Sequence, residues 1–180
     1  MKALMIVADG VQCIEAEYPR YRLDEAGYSL DVASMDGKDV HGIGGMLVRV
    51  NATAHTNLID VTNYDALILP GGAKAMEKLR QDQSLLNFIA NFQGVIGSMC
   101  SAAHLLISAK IVKGRRISGY YALKDDIENA GATFVDAPFV TDGNITSSPH
   151  YKYLGPWMAE VLRQASIRQA YIDARQDTAA

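Results

Sequence analysis

Cysteine is scarce in this chain, with only Cys13 and Cys100 among 180 residues. The two form no CxxC pair and have no histidine at zinc-ligand spacing. That removes a disulfide framework and a metal site, and it implies reduced thiols in a cytoplasmic setting. A surplus of one charge is also missing. Lys and Arg number 17 against 20 Asp and Glu, interspersed, for a formal charge of −3. No clustered basic face therefore marks a nucleic-acid partner. Long hydrophobic runs are absent too: "KALMIVADG" and "DALILPGG" are far too short to span a bilayer. Residues 1–8 read as a strand rather than a leader, because no small-residue cleavage site follows them. Internal repeats, low-complexity stretches and linkers are lacking as well.

What is present is an ordinary globular composition, 49% hydrophobic and 21% charged, at a length that buries a core without staples. The pattern alternates. "ALMIV" is a short apolar run ended by Asp9-Gly10, and Ile14 to Glu25 reads as a helix stopped by Gly27. "YSLDVASM" follows as a strand. Residues 38–57, with their glycines and alternating apolar positions, suggest a hairpin-like excursion. "ALILPGG" is a buried strand, and Ser84 to Phe92 belongs to a helix. "GVIGSMC" is a strand, with "AAHLLISAKI" the helix after it. "RRISGY" then reads as a strand, "TFVDAPFVTDGNITSS" as a strand pair and "PWMAEVLRQASIRQAYIDAR" as a long helix. Short buried strands alternating with helices argue a mainly parallel sheet covered on both faces. Residues 1–170 read as one domain and 171–180 as a C-terminal tail.

In open α/β sheets, ligands sit at the carboxyl ends of the strands. Three features converge there: Asp9 through Glu15 after the first strand, Gly71-Gly72 in "LPGGAKA", and Cys100 at the end of its strand. Glycines let the backbone approach a ligand closely. A tight strand-to-helix turn exposes a nucleophile, and the helix N-terminus offers free N–H groups that favour a thiolate. Taken alone, Cys100 also fits a small buried hydrophobe packed among Gly97, Ser98, Ser101, Ala102 and Ala103. The junction position and the neighbouring "PGG" loop favour chemistry. Glu15 alone also fits an acidic residue at a helix start.

Five ordered blocks, "ADGVQCIEAEYPRYRLDEAGYSLDVAS", "YDALILPGG", "GSMCSAAHLLISAKIVKGRR", "DDIENAGATFVDAPFVTDGNITSS" and the following "PH", resemble the ThiJ/PfpI family of the class I glutamine-amidotransferase-like superfamily. The resemblance covers roughly residues 1–165. It implies a flavodoxin-like three-layer sandwich with Cys100 as the nucleophile on its elbow and Glu15 hydrogen-bonded to the sulfur. It also implies an oxyanion hole of backbone N–H groups near Gly72, Ala73 and Ser101. The histidine that protease-like members carry after the cysteine is replaced by Ser101, so a Cys/His dyad is missing. Glu77 matches their intersubunit acid only across a gap. Gly71, Tyr120, His150 and His104 are further candidates for substrate contact. Tyr120 stands where some members use a histidine, and His104 lies one helical turn beyond the nucleophile. Cys13, Trp157 and the Tyr151/Tyr153 pair read chiefly as packing residues, with one of the tyrosines a candidate for the pocket edge.

The function this implies is a cofactor-free, metal-free enzyme whose Cys100 thiolate attacks a small electrophilic carbon with Glu15 as acid/base. Hydrolase, hydratase and glyoxalase-type lyase chemistry all remain open, peptidase being the weakest. The alternative is a redox-sensing or stress-response protein in which Cys100 is oxidised. A small-molecule substrate and a homodimer or larger homo-oligomer are the partners implied.

Overall fold

A computed structural model describes residues 1–53 and 63–177. The chain begins with β1 (Lys2–Ile6), α1 (Cys13–Glu25) and β2 (Ser29–Ser34), followed by the short strands β3 (Val40–His41), β4 (Leu47–Val48) and β5 (Ala52–Thr53). Next come β6 (Ala66–Leu69), α2 (Ala73–Leu79), α3 (Gln83–Asn91), β7 (Val95–Met99) and α4 (Ala103–Ser108). The last part holds β8 (Arg116–Ile117), α5 (Lys124–Asn129), β9 (Thr133–Phe134), β10 (Val140–Asp142), β11 (Ile145–Ser148) and α6 (Leu154–Asp177).

Among the described residues, seven strands form one sheet in the order β10-β11-β7-β6-β1-β2-β5. Every pairing is parallel except the β10–β11 hairpin at one edge. The central strands are apolar on both faces because both faces are covered: β6 and β7 are buried at every position. Helices α1 and α6 pack together on one side, and α2, α3 and α4 pack together on the other. The flavodoxin-like sandwich expected from the alternation is therefore the fold. Its core is continuous, and Trp157 is wholly buried in it. A side chain at Gly97 of β7 would meet Trp157 and Val161 at 3.0 Å, so the glycine lets α6 lie close on the strand. The Trp157 indole donates to the Thr146 carbonyl at 3.0 Å, satisfying its only polar atom.

Local signals set several boundaries. Gly27 at φ +77 follows α1, where a left-handed residue closes a helix, and Tyr28 N–H returns to the Leu23 carbonyl. Asp82 caps α3 by accepting from Ser84 N–H and Leu85 N–H. Four expectations change. Residues 38–57 do hold a hairpin, β3–β4, but β5 leaves it and pairs with β2 in the main sheet; positions 54–57 lie outside the described residues. "TFVDAPFVTDGNITSS" yields three strands rather than two, and β9 pairs with β8 in a separate small sheet. The helix over "AAHLLISAKI" is only six residues long and stops at Ser108. Finally, α6 runs to Asp177, so most of the expected tail is helix.

Candidate active site

Strand β7 ends at Met99, one residue earlier than the sequence pattern suggests. Cys100 instead opens a 3-10 turn that leads into α4, with φ at +57. For a side chain bearing a Cβ this left-handed conformation costs about 1–2 kcal/mol. Lys110, the other described non-glycine residue with positive φ, sits just past α4, where such residues commonly close a helix. Cys100 has no such excuse. Its carbonyl is pinned by Tyr120 N–H at 3.0 Å, and the turn throws its thiol into a partly open cavity.

That cavity, of about 320 Å³, lies at the carboxyl ends of β1, β6 and β7. Glu15, on the first turn of α1, reaches into it yet is 0% exposed to solvent. Its Oε2 accepts from Gly71 N–H at 2.7 Å. Its Oε1 has no partner in hydrogen-bond geometry. The Cys100 thiol lies close enough that each group perturbs the other's titration. Gly71 has to be glycine: an added Cβ would stand 2.7 Å from Oε2 and 2.9 Å from the Cys100 Cβ.

Electrostatics here run against one expectation. Burial raises Glu15 from its ordinary value of 4.5 to about 7, with the Gly71 N–H pulling the other way. Burial, and then the Glu15 charge, push the Cys100 thiol up to about 12. The Ser101 N–H and hydroxyl oppose this but do not overcome it. The elbow was expected to favour a thiolate. Desolvation outweighs the elbow, and the resting pair is a thiol beside a carboxyl group poised near neutrality.

Ser101 also changes the reading of the glycine loop. Gly72 N–H donates to the Ser101 hydroxyl at 2.8 Å, so it does not face the cavity as a free donor. The donors that this turn offers the cavity are the Ser101 hydroxyl, shared with the Cys100 sulfur, and the Ala73 N–H, which opens α2 and has no partner within the helix.

Tyr120 and His150 do line the cavity. His150 Nδ1 accepts from Lys152 N–H at 3.2 Å, so the neutral ring carries its proton on Nε2. Tyr151 is the tyrosine at the pocket edge, its ring 4.0 Å from that of His150. His104 is not brought to the cavity; its Nδ1 is buried without a partner, and burial lowers its pKa. Cys13 is buried, its thiol donating to the Ile43 carbonyl at 3.1 Å. Two further wall residues are Gln12, within the Asp9–Glu15 stretch, and Ile43. Gln12 is the residue capping α1, only three before Glu15, and that proximity was the available signal. Ile43 arrives from the β3–β4 turn and has no local signature. Among the described residues, no group of three or more His, Cys, Asp or Glu could hold a metal ion. No helix among them is long and apolar enough to cross a membrane.

A strained cysteine between a strand and a helix, facing a buried glutamate on a parallel sheet, defines a class of cysteine-elbow proteins. The chain belongs to the DJ-1/PfpI family, whose pattern matches residues 1–164. It is similar to deglycase TK1284 of Thermococcus kodakarensis, with 36% identity over 166 residues covering 91% of this chain and 98% of that one. Deglycase PfpI of Pyrococcus furiosus is 33% identical over the same shares. General stress protein 18 of Bacillus subtilis is 34% identical over 70% of this chain and 76% of that one. In fold it resembles Schizosaccharomyces pombe DJ-1, with a TM-score of 0.84 at 19% identity over 91% of each chain.

Proposed function

We propose that this protein is a cofactor-free enzyme that uses Cys100 to attack a small electrophilic carbon, with Glu15 carrying the proton. The observation that carries the reading is the pairing of a thiol at φ +57 with a fully buried carboxyl group that titrates near neutrality. A thiol pushed up to about 12 needs a base at the moment of attack, and Glu15, at about 7, is matched to that task.

The step balances without an outside reagent. Cys100 Sγ forms a bond to the substrate carbon while its proton passes to the Glu15 carboxylate. The electron pair of the substrate's C=O or C=N bond moves onto its heteroatom, which faces the Ser101 hydroxyl and the Ala73 N–H. Glu15 then returns the proton to that heteroatom, or to a leaving group. The names of the archaeal relatives favour carbonyl-derived adducts, as a deglycase would meet, within this class. His150, with Nε2 protonated, and Tyr120 are donors toward the substrate rather than bases.

The redox reading draws some support from the stress-protein relative. Susceptibility to oxidation follows thiolate character, however, and burial beside Glu15 suppresses the thiolate. The test is a panel of 2-oxoaldehydes, their early amine adducts, simple amides and isonitriles. At least one class should turn over, and Cys100→Ser should abolish that turnover with the fold intact by circular dichroism. Turnover that survives Cys100→Ser would overturn the assignment.

A further inference from the structure

A second cavity, of about 300 Å³, opens at the far edge of the sheet, by the amino ends of β7 and β11. Its floor is apolar, built from the buried side chains of Ile89, Phe92 and Ile96. Its polar lining includes Arg115, Asn144 and Arg168. None of these residues lines the cavity that holds Cys100.

We propose that this cavity binds a small oxyanion, a carboxylate or a phosphate group, between the guanidinium groups of Arg115 and Arg168. The first support is that the site is built rather than incidental. Asn144 Nδ2 donates to the Phe92 and Gly94 carbonyls at 3.2 and 2.9 Å, which fixes its amide and turns Oδ1 toward Arg115. Arg115 Nη1 donates to that Oδ1 at 3.4 Å and to the Asp142 carbonyl at 3.1 Å. Gly143, at φ +59, leaves room for this group: an added Cβ would stand 2.6 Å from Nη1. The guanidinium is thus wedged in place. Both of its bonds use one nitrogen, and the rest of the planar fork is unused among the described residues.

The second support is charge. No ion pair forms on Arg115 or Arg168 among the described residues, whereas Arg163, five residues earlier on α6, grips Glu160. Asp142 offers Arg115 only its carbonyl; its carboxylate accepts from Arg116 N–H at 2.8 Å. Helix C-termini favour cations, and α3 ends at this cavity. Yet neither guanidinium hydrogen-bonds an α3 carbonyl, so that attraction does not use their donors. Two unneutralised guanidinium groups flanking one pocket match an oxyanion in charge and in fork geometry.

The test uses the full chain and the arginine Nε–H and Asn144 side-chain amide signals in nitrogen-15 spectra. Sodium phosphate and sodium propionate are titrated separately against sodium chloride at matched ionic strength. Saturable shifts of Arg115, Arg168 and Asn144 with either oxyanion are expected, and which salt saturates tells a phosphoryl ligand from a carboxylate. Arg168→Gln, at an exposed position, should keep the fold and weaken binding about 10-fold or more, the scale of one lost hydrogen bond between charged groups. Arg115→Lys should also weaken it, because charge is kept while the fork is lost. Shifts that only follow ionic strength, as with chloride, or undiminished binding in Arg168→Gln, would overturn the proposal. Neither outcome bears on Cys100.

Discussion

Two strand-to-helix junctions stand side by side at the carboxyl edge of the sheet and meet the same steric demand with different residues. After β6 the chain turns through Gly72 at φ +112; after β7 it turns through Cys100 at φ +57. At the first, a side chain would strike the Gly10 carbonyl and the Gln12 N–H, so only glycine fits. At the second, a side chain is tolerated in a conformation that glycine would hold at no cost. Strain accepted where glycine would serve supports the chemical role proposed for the Cys100 side chain.

The comparison breaks most visibly at Gly72. Gly72→Ala should cost more than about 3 kcal/mol, because a positive-φ backbone and a backbone collision combine. A large fall in urea midpoint, or failure to fold, is the expected result; a shift of under 1 kcal/mol would show that the loop yields. Glu15→Gln comes next, with a loss of roughly 10²-fold in turnover. Wild-type activity should rise through about pH 7 as Glu15 ionises, and the variant should lack that rise. Stability moves the opposite way. The folded-state value of Glu15 lies above its ordinary 4.5, so the native protein holds a proton that the unfolded chain releases. The contribution of Glu15 to wild-type stability is therefore fullest below about pH 4.5, falls as pH rises to about 7, and stays level above. Glu15→Gln should flatten this dependence in melting curves, and should be the more stable protein at pH 8.

Ser101→Ala should have a smaller effect. It removes a donor to the sulfur and strands the Gly72 N–H. A loss of about 10-fold in turnover is expected, on the scale of one hydrogen bond to a charge. Iodoacetamide should also label Cys100 more slowly at fixed pH, since the thiolate loses support. Equal labelling would separate Ser101 from the thiol. The smallest effect isolates the strain itself: Cys100→Gly should be more stable than Cys100→Ala by about 1 kcal/mol. Equal stabilities would mean that the elbow is relaxed.

The sheet and the elbow were legible because each is encoded within a few residues, whereas the Cys100–Glu15 pair joins distant positions and was legible only through the family resemblance. Apolar runs mark the strands, and Gly71 and Gly72 announce a close approach of backbones. The Ser101–Gly72 bond was not legible, because it joins two junctions 29 positions apart. Ile43 was hidden for the same reason. The direction of the thiol's shift was lost because burial is a property of the assembled pocket, not of spacing. Helix α5 carries little periodicity: it buries only Ile127, so six residues gave no helical pattern to read.

Because Glu15, the glycine loop and Cys100 hang from β1, β6 and β7, the three adjacent strands at the middle of the sheet, the chemistry is anchored where amide hydrogen exchange should be slowest. The walls that would choose a substrate, Ile43, Tyr120 and Tyr151, hang instead from a hairpin of two-residue strands and from turns. Selection can therefore redraw the walls without disturbing the reacting pair. Under the proposed mechanism, one scaffold of this kind can diversify its substrates while inheriting Cys100 and Glu15 unchanged.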